Sequence, residues 1–271
     1  MHFWCLGLFL CSTILCAQSV QTRLGGQAAS MGWSAVAVPS EWAGFANPAA
    51  CSPQRGISLG TAKETSAQLP GASRTGAFAI FRSSRAALSL NAFQFGDDLY
   101  SEHVLSAAAA HQIGITQLGM RANWIQYRAE GFGIQRAVSF DVGGLIHLGE
   151  RFSVGALLCN VSQASLAPGE LIPTRLAVGI LYKPNERALA TAEVEKDLLY
   201  NPTWRGGFEY NFRQRMFFRS GFQLHPQLAT TGVGFRTQTL TIDYALQYSF
   251  QLLFVHQISA LIRFHRKTKK S

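Results

Sequence analysis

In several segments of this chain, polar positions alternate with apolar ones, and charged side chains occupy some of the polar positions. Between positions 204 and 212, Arg205 and Glu209 alternate with Trp204, Phe208 and Tyr210. Ions that leave bulk water are costly unless they are paired or hydrated. Such charges would therefore pair across neighbouring strands and grip an internal segment, or line a polar path for a solute. The predicted charge network comprises Arg121, Asp141, Arg175, Glu193, Glu195, Arg205, Glu209, Arg219, Asp243 and Arg263.

The histidine and cysteine spacings that signal a metal site are not evident in the chain. Its 7 histidines form no His-Glu-x-x-His motif, and its 5 cysteines lack the tight spacings of zinc ligands. A single histidine such as His147, even with serines nearby, is far more often structural than catalytic. The run from Gly232 to Phe235 belongs to an alternating segment and does not begin a dinucleotide-binding loop. The sequence predicts no enzyme, no catalytic residue, no metal and no cofactor.

Composition narrows the class of protein further. Charged residues make up 14% of the chain and hydrophobic residues 48%, which excludes disorder and a long coiled coil. The net charge is +9, and the excess is gathered near the C-terminus instead of forming a stripe. No nucleic-acid partner is therefore expected. The C-terminal cations are Arg263, Arg266, Lys267, Lys269 and Lys270.

The first residues are typical of a secretory signal peptide. From Phe3 to Ala17 the chain is uncharged and apolar or small, a length that is too short to cross a bilayer. We predict a signal peptide over residues 1–17, with lipoprotein processing at Cys16 as a disfavoured alternative. No later stretch is long and apolar enough to predict a transmembrane helix. The remaining cysteines, Cys51 and Cys159, are either packing residues or a disulfide.

The rest of the chain repeats with a period of two. Ile242 and Tyr244, for example, alternate with Thr241 and Asp243. Side chains on a strand point to opposite faces in turn, so each such segment is a strand with one apolar and one polar face. We predict fourteen strands, or twelve if two Ala-rich ones fail, near 55–64, 74–82, 85–95, 102–111, 116–127, 136–148, 151–161, 174–183, 188–196, 204–212, 216–224, 229–235, 240–249 and 254–264.

Strands of this kind build either a soluble sandwich or a membrane barrel. Aromatic residues at strand ends, an exported chain and connections that alternate between short and long all favour the barrel. The short connections would face the periplasm, as in bacterial outer-membrane barrels. The sequence predicts an all-β fold: a transmembrane antiparallel up-and-down β-barrel of about fourteen strands over 54–264, with a basic tail at 265–271. Its place would be the outer membrane of a Gram-negative bacterium, in contact with outer-membrane lipid.

Residues 18–53 do not follow the strand pattern. The segment is rich in glycine, alanine and serine and would not fold alone. A fourteen-strand barrel is too wide to be filled by its own side chains. We therefore predict that residues 18–53 form a hatch segment inside the lumen.

Two runs in this segment resemble a known family. Residues 24–32, LGGQAASMG, and residues 42–49, WAGFANPA, are similar to the N-terminal segment of the FadL-like outer-membrane barrels, and most similar to their PorV/PorQ branch, which is associated with type IX secretion. The resemblance extends to about residue 264 and implies an internal hatch. On this basis the predicted hatch residues are Gly25, Gly26, Met31, Gly32, Glu41, Trp42, Asn47 and Pro48.

Two functions follow from this resemblance. In the first, which the short outer loops favour, the protein is a partner of secretion-system or surface-assembly proteins in the outer membrane. In the alternative, it is a passive transporter of small hydrophobic or amphipathic solutes, and the hatch is its gate. A purely structural barrel remains a third possibility.

Overall fold

The computed structural model describes residues 22–51, 55–131, 133–167, 170–198, 201–250 and 253–264. The predicted signal peptide at 1–17, both ends of the predicted hatch segment and the basic tail at 265–271 lie outside the described residues. Within the described part, no helix has the length and hydropathy needed to cross a membrane.

Strands dominate the chain because the period-two pattern recurs along nearly all of it. The strands are β1 Gly56–Ser66, β2 Arg74–Arg82, β3 Ala86–Gly96, β4 Tyr100–Ile113, β5 Thr116–Ala129, β6 Gly133–His147, β7 Phe152–Cys159, β8 Ser165–Ala167, β9 Glu170–Leu171, β10 Arg175–Asn185, β11 Ala188–Asp197, β12 Thr203–Phe212, β13 Met216–Leu224, β14 Leu228–Arg236, β15 Leu240–Ser249 and β16 Leu253–Phe264. β8 and β9 form a separate ribbon, and the other fourteen form one closed barrel.

The barrel is antiparallel throughout, and each strand pairs with its neighbours along the barrel sequence. β1 pairs with β16 from Ile57 opposite Phe264 to Ser66 opposite Val255, which closes the ring. Closure leaves the barrel that the described strands form without a free edge, so these strands satisfy their backbone groups around the ring. The prediction of fourteen strands is confirmed, and the alternative of twelve is wrong.

The two faces of the wall differ in polarity. In β12, Phe208 points outward and is 45% exposed, whereas the adjacent Glu209 is 7% exposed. In β15, Asp243 is buried while its neighbours Ile242 and Tyr244 are exposed. A barrel that turns large apolar side chains outward and charges inward is built for a membrane and not for water.

Some connections are shorter than the sequence indicated. Long connections at 96–101 and 128–135 were predicted, but residues 97–99 join β3 to β4 and residues 130–132 join β5 to β6. The reason is that antiparallel pairing continues past the apolar belt, as Tyr100 opposite Ala129 and Ala129 opposite Gly133 show. At this end of the barrel the longer connections are 67–73, 160–174 and 198–202.

Residues 22–51, here called the N-terminal segment, lie inside the barrel. They contain a short helix, α1 (Gly26–Ser30), and one 3-10 turn (Glu41–Gly44). α1 packs against β13 to β16. The segment is almost entirely buried, and its contacts are with inward-facing side chains of the wall.

Candidate functional site

Glycines on the inner wall make room for the N-terminal segment. A methyl group on Gly221 would lie 2.3 Å from the carbonyl carbon of Met31, and one on Gly207 would lie 2.5 Å from Met31 Cβ. A methyl group on Gly155 would lie 2.3 Å from the carbonyl oxygen of Val36. Any side chain at these positions would displace the segment, so the wall is shaped around it.

Three glycines of the segment itself hydrogen-bond to the wall. The backbone N–H of Gly25 donates to Gln257 Oε1 at 3.1 Å, and that of Gly26 donates to Ser259 Oγ at 3.0 Å. The N–H of Gly32 donates to Thr230 Oγ1 at 2.9 Å. Gly25 has a φ of 117° and Gly32 a φ of 63°, conformations that glycine adopts without strain.

Glu193 binds both the segment and the wall. Its Oε2 accepts hydrogen bonds from the backbone N–H groups of Ala35 and Val36, each at 2.9 Å. Its Oε1 accepts from Arg205 Nη1 at 2.8 Å. Because both carboxylate oxygens are satisfied, this buried charge is compensated.

Glu195 forms ion pairs with three arginines. Its Oε1 accepts from Arg205 Nη2 at 3.0 Å and lies 3.8 Å from Arg175 Nη1. Arg23, from the N-terminal segment, also forms an ion pair with Glu195. The pairing ties the beginning of the described segment to β10, β11 and β12.

Arg219 bridges two carboxylates of the wall. Its Nε donates to Glu209 Oε2 at 2.6 Å, and its Nη1 donates to Asp243 Oδ1 at 2.7 Å. Gln27 of α1 donates to the same oxygen of Glu209 at 3.1 Å. The network therefore continues across β12, β13 and β15 to the helix of the segment.

Arg121 and Asp141 form an ion pair on the neighbouring strands β5 and β6. Arg121 Nη2 lies 2.7 Å from Asp141 Oδ2. Arg121 Nη1 also donates to the backbone oxygens of Gly44 at 2.7 Å and Ala46 at 3.2 Å. The other carboxylate oxygen of Asp141 accepts from the backbone N–H of Asn160 at 2.8 Å.

Glu41 of the segment pairs with arginines of two wall strands. Arg263 Nε donates to Glu41 Oε1 at 2.6 Å, and Arg82 Nη1 lies 3.7 Å from the same oxygen. Burial alone would raise the pKa of Glu41. The hydrogen bond and charge of Arg263, with the charge of Arg82, outweigh burial and hold the pKa of Glu41 below its ordinary value.

Asn47 and Pro48 form a buried turn against the wall. Asn47 Nδ2 donates to the carbonyl oxygens of Val36 at 2.8 Å and Gly144 at 3.1 Å. Asn47 Oδ1 accepts from the backbone N–H of Ala49 at 3.0 Å. The amide therefore joins two parts of the segment and β6, and Pro48 is fully buried beside it.

A different kind of contact surrounds Trp42. Its ring meets the ring of Phe78 edge-on, with centroids 4.8 Å apart, and lies 6.0 Å from that of Phe45. Ile172 of the 160–174 connection is buried in the same cluster, so this connection folds inward over it. The aromatic cluster comprises Leu24, Trp42, Phe45, Phe78, Ile80, Phe93, Val104, Ile125, Tyr127, Ile172 and Leu261, with Ala62 and Ala87.

The sequence did not indicate this cluster or some of the polar partners. Inward and outward positions of β2 are both apolar, so the period-two contrast disappears there. Glu64 was also missed, although it accepts from Gln247 at 2.9 Å and from Gln257 at 2.8 Å. The period-two pattern could have identified Glu64, because this residue lies at an inward position of β1, two residues beyond Ala62.

One sequence match to a catalytic motif has no catalytic geometry. Residues 56–60, GISLG, have the Gly-x-Ser-x-Gly spacing of a nucleophile elbow, where the serine sits on a turn between a strand and a helix. Ser58 instead lies within β1, buried, and accepts a hydrogen bond from Arg82 Nη2 at 2.7 Å. Among the described residues no cluster of metal-ligating side chains occurs, and Cys51 and Cys159 are free thiols.

No protein family model and no curated protein matches the sequence of this chain. The fold does match solved structures. The toluene transporter TodX of Pseudomonas putida aligns with a TM-score of 0.67 at 12% identity, over 91% of this chain and 100% of that chain. A FadL homologue of Pseudomonas aeruginosa aligns with a TM-score of 0.63 at 13% identity, over 89% and 98%.

A deltaS2 mutant of TodX, described as a monoaromatic hydrocarbon channel, gives a TM-score of 0.63 at 12% identity, over 89% of this chain and 99% of that chain. Identities this low establish the fold alone. None of these three structures is a PorV or PorQ protein, so that finer part of the resemblance stays a prediction. The chain has the closed fourteen-strand fold of the FadL-family outer-membrane barrels.

Proposed function

We propose that the protein is an outer-membrane channel for small hydrophobic solutes and that the N-terminal segment is its hatch. The observation that carries this proposal is the aromatic cluster inside the lumen. A membrane barrel usually keeps its interior polar, whereas here thirteen apolar residues meet between the segment, the wall and the 160–174 connection. Such a cluster suits an apolar solute and has no use in a water-filled pore.

Passage would require the solute to replace protein side chains in the cluster. Trp42 and Phe45 are the two aromatic rings that the segment itself contributes. Apolar contacts are non-directional, so a solute ring would substitute for either of them at little cost. The ion pairs at Glu193 and Glu195 would meanwhile keep residues 23–36 attached to the wall.

An outer-membrane location has three supports. The outward face of the barrel is apolar along its strands, the sequence predicts a signal peptide, and the fold matches outer-membrane transporters. The same matches favour transport over the secretion-partner role that the PorV/PorQ resemblance implied. Secretion remains the competing function in the experiment below.

The test is uptake of radiolabelled toluene by Gram-negative cells that lack other carriers and produce this protein. Their lipopolysaccharide leaflet slows free entry of the solute. We expect uptake with the wild type and a several-fold loss in Ile125→Gln, which puts an amide into the aromatic cluster. Ile134→Gln is the matched control, because Ile134 is 51% exposed and lies outside the cluster.

Uptake no faster than in cells without the protein would overturn the transport function. Impaired delivery of secreted proteins in a deletion strain, together with absent uptake, would establish the secretion role instead. Heat-dependent migration on a denaturing gel confirms that each variant has assembled, since closed barrels resist mild detergent.

A further inference from the structure

The two ends of the barrel differ in charge. At the end with the short turns, the described residues include seven exposed cations and two exposed carboxylates, which are Arg55, Arg85, Arg151, Lys183, Arg187, Arg213 and Arg215, with Glu150 and Glu186. At the opposite end, they include four exposed cations and three exposed carboxylates, which are Lys63, Arg128, Arg136 and Lys196, with Asp97, Asp98 and Glu130. The short-turn end is therefore strongly basic, whereas the exposed charges of the opposite end nearly cancel.

Five of the cations lie on neighbouring turns and form a continuous row, called the basic arc below. The backbone N–H of Lys183 donates to the carbonyl oxygen of Arg151 at 2.8 Å, and the N–H of Asn211 donates to that of Arg187 at 2.7 Å. An open space of about 620 Å³ separates the turn of Arg187 from that of Arg213. The basic arc comprises Arg151, Lys183, Arg187, Arg213 and Arg215.

Outward-facing aromatic rings lie next to the basic arc. The rings of Phe152 and Tyr182 stack with centroids 4.6 Å apart, and each residue is next in sequence to a cation of the arc. The guanidinium carbon of Arg213 lies 5.2 Å from the centroid of the Phe212 ring, which is itself exposed on the outer wall. Aromatic rings of this kind mark the boundary between hydrocarbon and lipid headgroups. The basic arc is therefore placed at the depth of the headgroups.

The cations of the basic arc are not neutralised within the protein. None of the five forms an ion pair with another described residue. A guanidinium presents a planar fork that matches a phosphate group, and an ammonium attracts phosphate as a point charge. The arc thus suits a partner that carries phosphate and a net negative charge.

We propose that the basic arc binds the headgroups of anionic phospholipids in the periplasmic leaflet of the outer membrane. The short turns face the periplasm in outer-membrane barrels. One lipid molecule fits both features, because its phosphate would meet the cations while its acyl chains lie along the apolar wall beside Phe152 and Tyr182. An acidic protein in the periplasm would use the charge but not the rings. The contact is on the outside of the barrel, so it does not depend on whether a solute crosses the lumen.

The experiment measures which lipids stay next to the purified full chain in phosphatidylcholine vesicles. Electron paramagnetic resonance reports the motionally restricted fraction of spin-labelled phosphatidylglycerol and, separately, of spin-labelled phosphatidylcholine. We expect the wild type to favour phosphatidylglycerol by about twofold or more, since each exposed cation attracts an anionic membrane surface. Salt at about 1 M should reduce this preference by screening. The triple variant Arg151→Gln/Arg187→Gln/Arg215→Gln should nearly abolish it.

Arg128→Gln/Arg136→Gln/Lys196→Gln is the matched control, because it removes the same charge from exposed positions at the opposite end. Both leaflets of the vesicle contain the labelled lipid, so the comparison holds for either direction of insertion. The control should keep the wild-type preference. Heat-dependent migration on a denaturing gel shows that each variant has assembled. If the triple variant of the arc fails to assemble, Lys183→Gln/Arg213→Gln replaces it with the same expected direction.

Two results would overturn the proposal. An equal loss of preference in the arc variant and in the control would mean that total charge, and not the basic arc, selects the lipid. Equal restriction of the two lipids beside the wild type would mean that the arc does not bind anionic headgroups and would leave an acidic periplasmic protein as its partner.

Discussion

The N-terminal segment meets two different kinds of barrel wall. Its first part, residues 25–36, lies against the polar wall, meaning the inward side chains of β11 to β16. There Glu193 accepts from two backbone N–H groups at 2.9 Å, and Gly25, Gly26 and Gly32 each donate to a wall side chain. Its later part, residues 42–45, lies in the aromatic cluster, where rings touch rings.

This contrast indicates which contacts hold the segment in place and which a solute can replace. Hydrogen bonds and ion pairs fix direction and distance, and a buried charge that loses its partner is costly. Apolar packing depends on shape and area, and another apolar molecule can replace it. We infer that the polar wall anchors the segment and that the aromatic cluster is the part a solute can enter. Arg121 marks the boundary, because it holds the backbone oxygen of Gly44 at 2.7 Å beside the cluster.

Removing the segment should have the largest effect. A deletion of residues 24–47 takes away both kinds of contact, and a fourteen-strand ring then has room for water and small solutes. We expect single-channel conductance in planar bilayers to rise from near zero to a steady open level. Cells that carry the deletion should become sensitive to bulky antibiotics. Conductance that stays near zero in an assembled deletion variant would mean that something other than this segment closes the barrel.

Disrupting the ion pairs of the polar wall should have the next largest effect. Arg219→Met leaves Glu209 and Asp243 buried without their shared cation, which should lower the free energy of unfolding by about 3–5 kcal/mol. The measurement is urea unfolding in lipid vesicles. Arg213→Met, at an exposed turn position, is the control and should change stability little. Toluene should not restore Arg219→Met, because an apolar molecule cannot satisfy a charge.

The polar wall could largely be predicted from the sequence, because polar and apolar residues alternate strongly along its strands. In β12 the pattern of Phe208 and Glu209 predicts which residue faces the lumen, and the structure places Glu209 there. The partners that lie far apart in the chain could not be predicted. Glu41 and Arg263 are 222 positions apart, and only the closed ring brings them together.

The aromatic cluster could not be predicted from the sequence, for a different reason. Phe78 points inward and Phe81 outward in the same strand, so hydrophobicity does not separate the faces of β2. In the sequence, a strand that is apolar on both faces is a continuous apolar run, so its inward residues cannot be distinguished from its lipid-facing ones. The ribbon of β8 and β9 was missed because its strands are only 3 and 2 residues long.

Truncation inside the aromatic cluster should have an effect that a solute can reverse. Phe93→Ala leaves an apolar cavity and should cost about 3–5 kcal/mol in urea unfolding. Cavities of this kind stay dry and bind small aromatic molecules. Toluene at about 100 times its dissociation constant should therefore restore up to about 2.7 kcal/mol. If toluene stabilises Arg219→Met as much as Phe93→Ala, the aromatic cluster does not differ from the polar wall in its ability to accept an apolar solute.

The smallest effect should come from acid, through Glu41. Arg263 and Arg82 outweigh burial and lower the folded pKa of this carboxyl below its ordinary 4.5. A group of this kind contributes stability above its ordinary pKa and loses that contribution as the pH falls through the lowered folded value. Wild-type conductance should therefore stay near zero from neutral pH to about pH 4.5 and rise modestly in more acidic solution. Glu41→Gln should raise the conductance slightly at neutral pH and flatten the acid step, because the group that titrates is gone.

Glu150→Gln, at an exposed position in the short turn between β6 and β7, is the matched control and should keep the wild-type profile. An acid step of equal size in the wild type and in Glu41→Gln would assign it to other carboxylates of the lumen, and the anchor at Glu41 would then not be the one that acid releases.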